Sequence, residues 1–401
     1  MNSHVLPPKV NDRLVEAPQS ESTRLFAEPL HVGRPNLGDR QKLLERFAAV
    51  LDRCWLTNDG PNVRAFETEI AQYLGVRHCV AVSNATIGLQ IAIAALGLSG
   101  EVIVPAFTFP ATVHALAWQG ITPVFCDVDP STHNIDPAEI LRLIGPETTG
   151  ILGVHLWGNP CAIDSLIEIA DRHRLTLLFD AAHAFGCSHN GRMIGNFGRA
   201  EVFSFHATKF LSTGEGGAVV TNDDELANKF RRLRNFGIDG EQIAEVGMNG
   251  KMNELAAAMG LTGLESREAF ISRNHDNHAA YEEALANIRG VKLFCIPTLE
   301  QRNQQYVVAE VDDREAGMSR DELVAALHAE NVLAKRYFFP GCHRLRPYRS
   351  EHEARCNPLP HTDRLCERLM QLPTGMAVSQ SDIARIGVFL RGLTARAKCA
   401  A

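Results

Sequence analysis

Apolar residues recur at helical spacing over Arg40–Leu51 and again over Glu67–Leu74. Short apolar runs then alternate with helical stretches. The runs are His78–Val82, Glu101–Val104, Thr122–Asp127, Gly150–His155, Leu175–Asp180, Val202–His206 and Gly217–Thr221. Strands separated by helices predict an α/β fold with a mixed, mostly parallel central sheet covered by helices on both faces. From about Ile271 the texture changes to a long helical stretch (Arg273–Ile288), a strand-like Tyr306–Val311 and a helical Ser319–Glu330. The expected organisation is a polar N-terminal extension over 1–35, a large domain over 36–270 and a smaller α+β domain over 271–401. No internal repeat or low-complexity segment interrupts it.

Composition narrows the function classes. The 401 residues are 45% hydrophobic and 22% charged, with a net charge of −7. That balance argues against nucleic acid as a partner, because binding a polyanion needs clustered Lys and Arg. Met1–Glu21 is polar and lacks the apolar core of a signal peptide, and no apolar stretch is long enough to span a bilayer. No membrane association is expected. The ten Cys are scattered singly, without a C-x-x-C pair or zinc spacing, so no metal is expected and a reduced, cytoplasmic setting fits.

In such sheets ligands gather beyond the carboxyl ends of the strands. The run Arg174–Asp180 ends in a carboxylate, which reads equally well as a helix N-cap. Phe203-Ser-Phe-His-Ala-Thr-Lys209 runs from a strand into a polar turn; a lone Lys there would ordinarily be a solvated surface charge. Ser212–Gly217 follows as a glycine-rich turn. Ser83–Leu96 opens with cap-type residues and continues as a helix with an apolar stripe. Its start is suited to a phosphate, or simply to capping. Pro105-Ala-Phe-Thr-Phe109 sets aromatics just past another strand end, where most aromatics are core.

Taken in order, these blocks resemble the DegT/DnrJ/EryC1/StrS family of sugar aminotransferases, which have the fold of the aspartate aminotransferase superfamily (pyridoxal phosphate fold type I). The resemblance runs from about Trp55 to the C-terminus. Its blocks are Trp55–Pro61, Pro105–Thr112, Thr122–Pro130, His155–Pro160, Asp180–Gly186, Phe203–Gly217 and Gly247–Glu254. It implies pyridoxal 5′-phosphate as cofactor, with Lys209 as its Schiff-base lysine and Asp180 beside the pyridinium nitrogen. Phe109 would stack on the ring. Thr86, the Ala85 backbone and the Ser204 hydroxyl would hold the phosphate, and His183 would lie near the phenolic oxygen. Asn249 matches a residue that reaches the phosphate of a neighbouring subunit, which implies a homodimer with shared active sites. Ala85 stands where Gly is commoner, Lys251 where many members have Arg, and Ala256 where many have Gln. Some relatives are dehydratases with His in place of the lysine; Lys at 209 selects transamination.

The resemblance further implies L-glutamate as amino donor and a nucleotide-linked keto sugar as acceptor, with dTDP-4-keto-6-deoxyglucose preferred. A C3-keto sugar nucleotide, an aminocyclitol precursor and a non-catalytic regulatory role are the other readings. Lys335-Arg-Tyr-Phe-Phe-Pro-Gly-Cys-His343 combines cations, aromatics and a His, a set suited to a diphosphate and a ring, with Arg336, Tyr337 and His343 as candidate substrate contacts. The same segment also reads as an edge strand with a turn.

Overall fold

The computed structural model describes residues 24–295 and 300–400. Seven strands form the central sheet: β1 (His78–Val82), β2 (Glu101–Pro105), β3 (Thr122–Cys126), β4 (Thr148–Val154), β5 (Thr176–Asp180), β6 (Ala200–Ser204) and β7 (Gly217–Thr221). Their order is β1-β7-β6-β5-β4-β2-β3. Only β7 runs antiparallel to its neighbours, β1 and β6; the remaining pairs are parallel. The sheet is thus the mixed, mostly parallel one expected.

Each strand feeds both faces of this sheet. Ile103, Ile151, Phe179 and Phe203 pack into one apolar core, while Val102, Val104, Leu152, Leu178 and Val202 pack into the other. Burial on both faces is why these strands read as continuous apolar runs and not as alternating ones. Helices Pro61–Leu74 and Ile163–His173 cover the first face; Ala85–Leu96 and Asp224–Arg234 cover the second.

The helix expected over Arg273–Ile288 spans Arg267–Leu285, so the expected division at 270/271 falls in its first turn. Beyond it, Val291–Leu293, Val307–Val311 and Leu369–Leu372 make a three-stranded antiparallel sheet. Tyr281, Leu323, Met370, Ile383 and Leu390 fill the core behind it. Of the N-terminal extension, residues 1–23 lie outside the described residues. Leu30–His31 pairs in parallel with Val332–Leu333, and Asn36 donates to the Phe210 carbonyl at 3.0 Å. The N-terminal segment therefore docks on the turn that carries Lys209.

Candidate active site

A cleft of about 760 Å³ opens beyond the carboxyl ends of β1, β5 and β6. Asp180 closes β5 and is buried. Its Oδ2 accepts from the Thr112 hydroxyl at 2.9 Å, and its Oδ1 accepts from the Ala182 amide at 3.0 Å. Burial raises its pKa, and these two hydrogen bonds and the Lys209 charge act against the rise.

Lys209 sits in the turn after β6, which is closed by the Ala207 amide on Gly214 and the Thr213 amide on Phe205, both at 2.8 Å. Its Nζ donates to the Tyr306 hydroxyl at 3.1 Å. Burial and, to a lesser degree, the nearby Lys335 charge lower the amine to about 8, against the pull of Asp180. Above that pH the amine is free to attack a carbonyl carbon.

His183 lies beside them, its Nδ1 accepting from the Trp157 amide at 3.3 Å. Burial, reinforced by Lys209, holds its pKa well below the ordinary histidine value, so the ring is neutral. It packs at 4.2 Å between centroids on Tyr306 and stacks at 5.7 Å on Trp157.

The same cleft is also lined by the start of helix Ala85–Leu96. Asn84 caps it by accepting from the Ile87 amide at 2.9 Å, and Ala85 and Thr86 in its first turn line the cleft. First-turn amides have no partner within a helix and carry the positive end of its dipole, a setting for an anion. Ser204, at the end of β6, adds a hydroxyl to the lining. Gly217 opens β7 against this helix start: a Cβ there would lie 2.8 Å from the Ala85 nitrogen and 2.8 Å from the Phe203 carbonyl oxygen. Phe109, 54% exposed, forms a wall at the foot of helix Pro110–Ala117.

Seven of the residues expected at the cofactor therefore share one cleft: Ala85, Thr86, Phe109, His183, Ser204 and Lys209 as lining residues, with Asp180 beside Lys209. Asn249 does not line it. It is exposed, on a loop whose next residue accepts from the Ser83 amide at 2.7 Å. Lys251 lies beyond, its Nζ 4.4 Å from the centroid of Phe236.

The three candidate substrate contacts separate. Tyr337 lines the cleft, together with Lys335. Arg336 does not line it; paired with Asp321 at 3.2 Å, it lines a smaller neighbouring cavity that shares Phe109, Tyr337 and Phe338 with the cleft. His343 is buried in a separate cavity, its Nε2 3.0 Å from Asp363. Sequence reasoning did not single out Tyr306, Trp118, Gln371 or the N-terminal Val32 and Gly33, which also line the cleft. Tyr306 carried one signal, its place at the head of a strand; Val32 and Gly33 carried none.

The arrangement joins a helix start suited to an anion, a buried carboxylate suited to a cationic ring nitrogen, and an amine of lowered basicity in a cleft with aromatic lining. Comparison with known proteins points the same way. The family model described as "DegT/DnrJ/EryC1/StrS aminotransferase family" matches residues 38–391. A dTDP-4-amino-4,6-dideoxy-D-glucose transaminase from Shigella dysenteriae is 38% identical over 318 residues, covering 78% of this chain and 85% of that protein. One of the same name from Escherichia coli is 33% identical over 365 residues, 90% of this chain and 98% of that protein. The solved structure described as DesI in the presence of its TDP-sugar product is 50% identical with a TM-score of 0.89, covering 94% of this chain and 97% of that one.

Proposed function

Because the chain belongs to the DegT/DnrJ/EryC1/StrS aminotransferase family and is a sugar aminotransferase, we propose that it moves the amino group of L-glutamate onto C4 of dTDP-4-keto-6-deoxyglucose, using pyridoxal phosphate held in this cleft. The observation that carries the proposal is that Lys209, under the charge of Asp180, lines one cleft with the start of helix Ala85–Leu96. The choice of C4 and of a dTDP sugar rests on the two transaminases and on DesI, whose names specify a 4-amino-4,6-dideoxy sugar and a TDP-sugar.

The residues present fit the cofactor. Its phosphate matches the first-turn amides of Ala85 and Thr86 with the hydroxyls of Thr86 and Ser204, and Gly217 lets β7 pack closely against that helix start. Its ring nitrogen matches Asp180, a buried carboxylate that lacks a directly bonded cation among the described residues. When bound, the cofactor supplies a carbonyl that condenses with amines and a ring that draws electrons from the adjoining carbon.

The chain's own work is then positional and protonic. Lys209 Nζ would hold the cofactor through its carbonyl and, as a free base, would take up and return the proton at the substrate carbon. Asp180 would face the ring nitrogen and favour its protonated form. Phe109 would stack on the ring, and His183 would lie near its phenolic oxygen. Lys335, Tyr337 and Trp118 border the remaining space, where a cation and aromatic surfaces suit an anionic sugar nucleotide.

Sites shared within a homodimer complete the proposal. Asn249 is exposed, and Trp118, Ile243 and Val246 are 79%, 75% and 95% exposed, apolar surface of the kind a second copy covers.

The test is to supply the purified protein with pyridoxal phosphate, L-glutamate and a panel of nucleotide keto sugars. The expected result is a yellow protein that bleaches with L-glutamate, is trapped on Lys209 by borohydride, and yields a C4 amine. A C3 amine would refute the assigned position. A protein that never bleaches and aminates nothing would refute the catalytic reading.

A further inference from the structure

Lysine carries its amine on a flexible four-carbon stem, so an amine that must act repeatedly at one point needs something to hold it. Among the described residues, Lys209 Nζ makes a single hydrogen bond, to the Tyr306 hydroxyl at 3.1 Å. Asp180 and Lys335 act on the amine only through their charges.

Tyr306 is itself fixed. Its ring lies 4.2 Å from His183 and 5.4 Å from Trp157, centroid to centroid, and the residue is 9% exposed. It stands one residue before the strand Val307–Val311, whose register with Leu369–Leu372 anchors the backbone. The hydroxyl is thus delivered to the large-sheet lysine by the small sheet, 97 residues further along the chain.

We propose that Tyr306 is the positioning residue of the catalytic amine: its hydroxyl tethers Lys209 Nζ by a hydrogen bond whose direction follows the amine's protonation. A phenol can donate and accept. Towards the ammonium it accepts; towards the free amine it donates into the nitrogen lone pair. Burial pushes the phenol's pKa well up, so it keeps its proton and both directions stay open. The other groups facing the pair are Asp180 on β5, His183 in the turn after it, and Lys335 and Tyr337 on the segment after Leu333. Hydrogen bonds to a charged partner are the stronger kind. The tether therefore favours the ammonium, and its loss should lower the amine's pKa further.

The inference rests on the assignment of Lys209 as the cofactor lysine, and its test is separable from that assignment. Tyr306→Phe keeps the ring and removes the hydroxyl. In cofactor-free protein, acetic anhydride labelling of Lys209, followed by peptide mass spectrometry across neutral to alkaline pH, reports the amine alone. The wild-type midpoint is expected at about 8, and in Tyr306→Phe it should fall by about one pH unit. In loaded enzyme, kcat should fall about tenfold with KM for the keto sugar nearly unchanged. Tyr306→Met, which fills apolar space without a hydroxyl, should lower the midpoint equally. A midpoint that stays put or rises in folded variants would overturn the tether, even if kcat fell. Failure of borohydride to trap the cofactor on wild-type Lys209 would instead overturn the functional assignment.

Discussion

Lys209 owes its basicity to its surroundings: burial and Lys335 press it down, Asp180 pushes back, and about 8 is the balance. Below that pH the amine is charged and has no lone pair to offer; above it the lone pair is free. Uptake of pyridoxal phosphate by cofactor-free protein should accelerate as pH rises through about 8 and then level off. Stopped-flow absorbance would show this, whereas an ordinary lysine would keep accelerating towards 10.5. Lys209→Ala should abolish turnover yet melt near the wild-type temperature, because the side chain lines a cleft and not a core; calorimetry would decide the second half. At this scale the sequence was legible where chemistry ended a strand. Asp180 and Lys209 close β5 and follow β6, so order and spacing revealed them. Tyr306 opens an apolar strand and reads as core. Arg336 stands beside Tyr337 in sequence, but the chain enters a turn at Tyr337, and no local pattern says which of these side chains reaches the cleft. Lys335, Tyr337 and Phe338 line the cleft while Arg336 meets Asp321.

The elements that frame the cleft depend on a few close approaches. Gly217 lets β7 pass the start of helix Ala85–Leu96, and a methyl group 2.8 Å from the Ala85 nitrogen would push strand and helix apart. Gly217→Ala should weaken cofactor retention at least about tenfold, since a displacement near 1 Å costs amide-to-phosphate hydrogen bonds worth about 1.5–3 kcal/mol each. Dialysis with absorbance detection would measure it. Glu254, fully buried at the head of helix Glu254–Glu265, accepts from the Asn62 and Val63 amides at 2.8 and 2.9 Å. It thereby caps helix Pro61–Leu74 from another helix. Glu254→Ala strands both amides and should cost about 2–4 kcal/mol, readable from urea unfolding. Strands buried on both faces were legible to within about two residues because their apolar runs are continuous. The first turn of helix Pro61–Leu74 was not: its stabiliser, Glu254, lies 192 residues away, and no local pattern announces it.

For the whole molecule the strongest expectation concerns shared sites. If Asn249 serves a neighbour's cofactor, Asn249→Ala should lose pyridoxal phosphate more readily than wild type. Mixing it with Lys209→Ala should then restore part of the activity, because one site of each mixed dimer is intact. Demonstrated mixed dimers no more active than Asn249→Ala alone would rule out sharing. The layered α/β architecture was legible from the alternation of periods. The closure of the cleft by the N-terminal segment was not, since Val32 and Gly33 have no chemistry of their own and act by where Leu30–His31 is docked. That docking has a temporal side. The cleft wall includes Val32 and Gly33 near one end of the chain and Lys335, Tyr337, Phe338 and Gln371 near the other. A ribosome adding about 5–20 residues per second makes the last of these roughly 20–70 s after the first. Until then the helix start and Lys209 are already synthesised but face an open trough. On the proposed function, cofactor capture would wait for the end of biosynthesis, because a chain stalled before Lys335 has Lys209 without the later walls of its cleft.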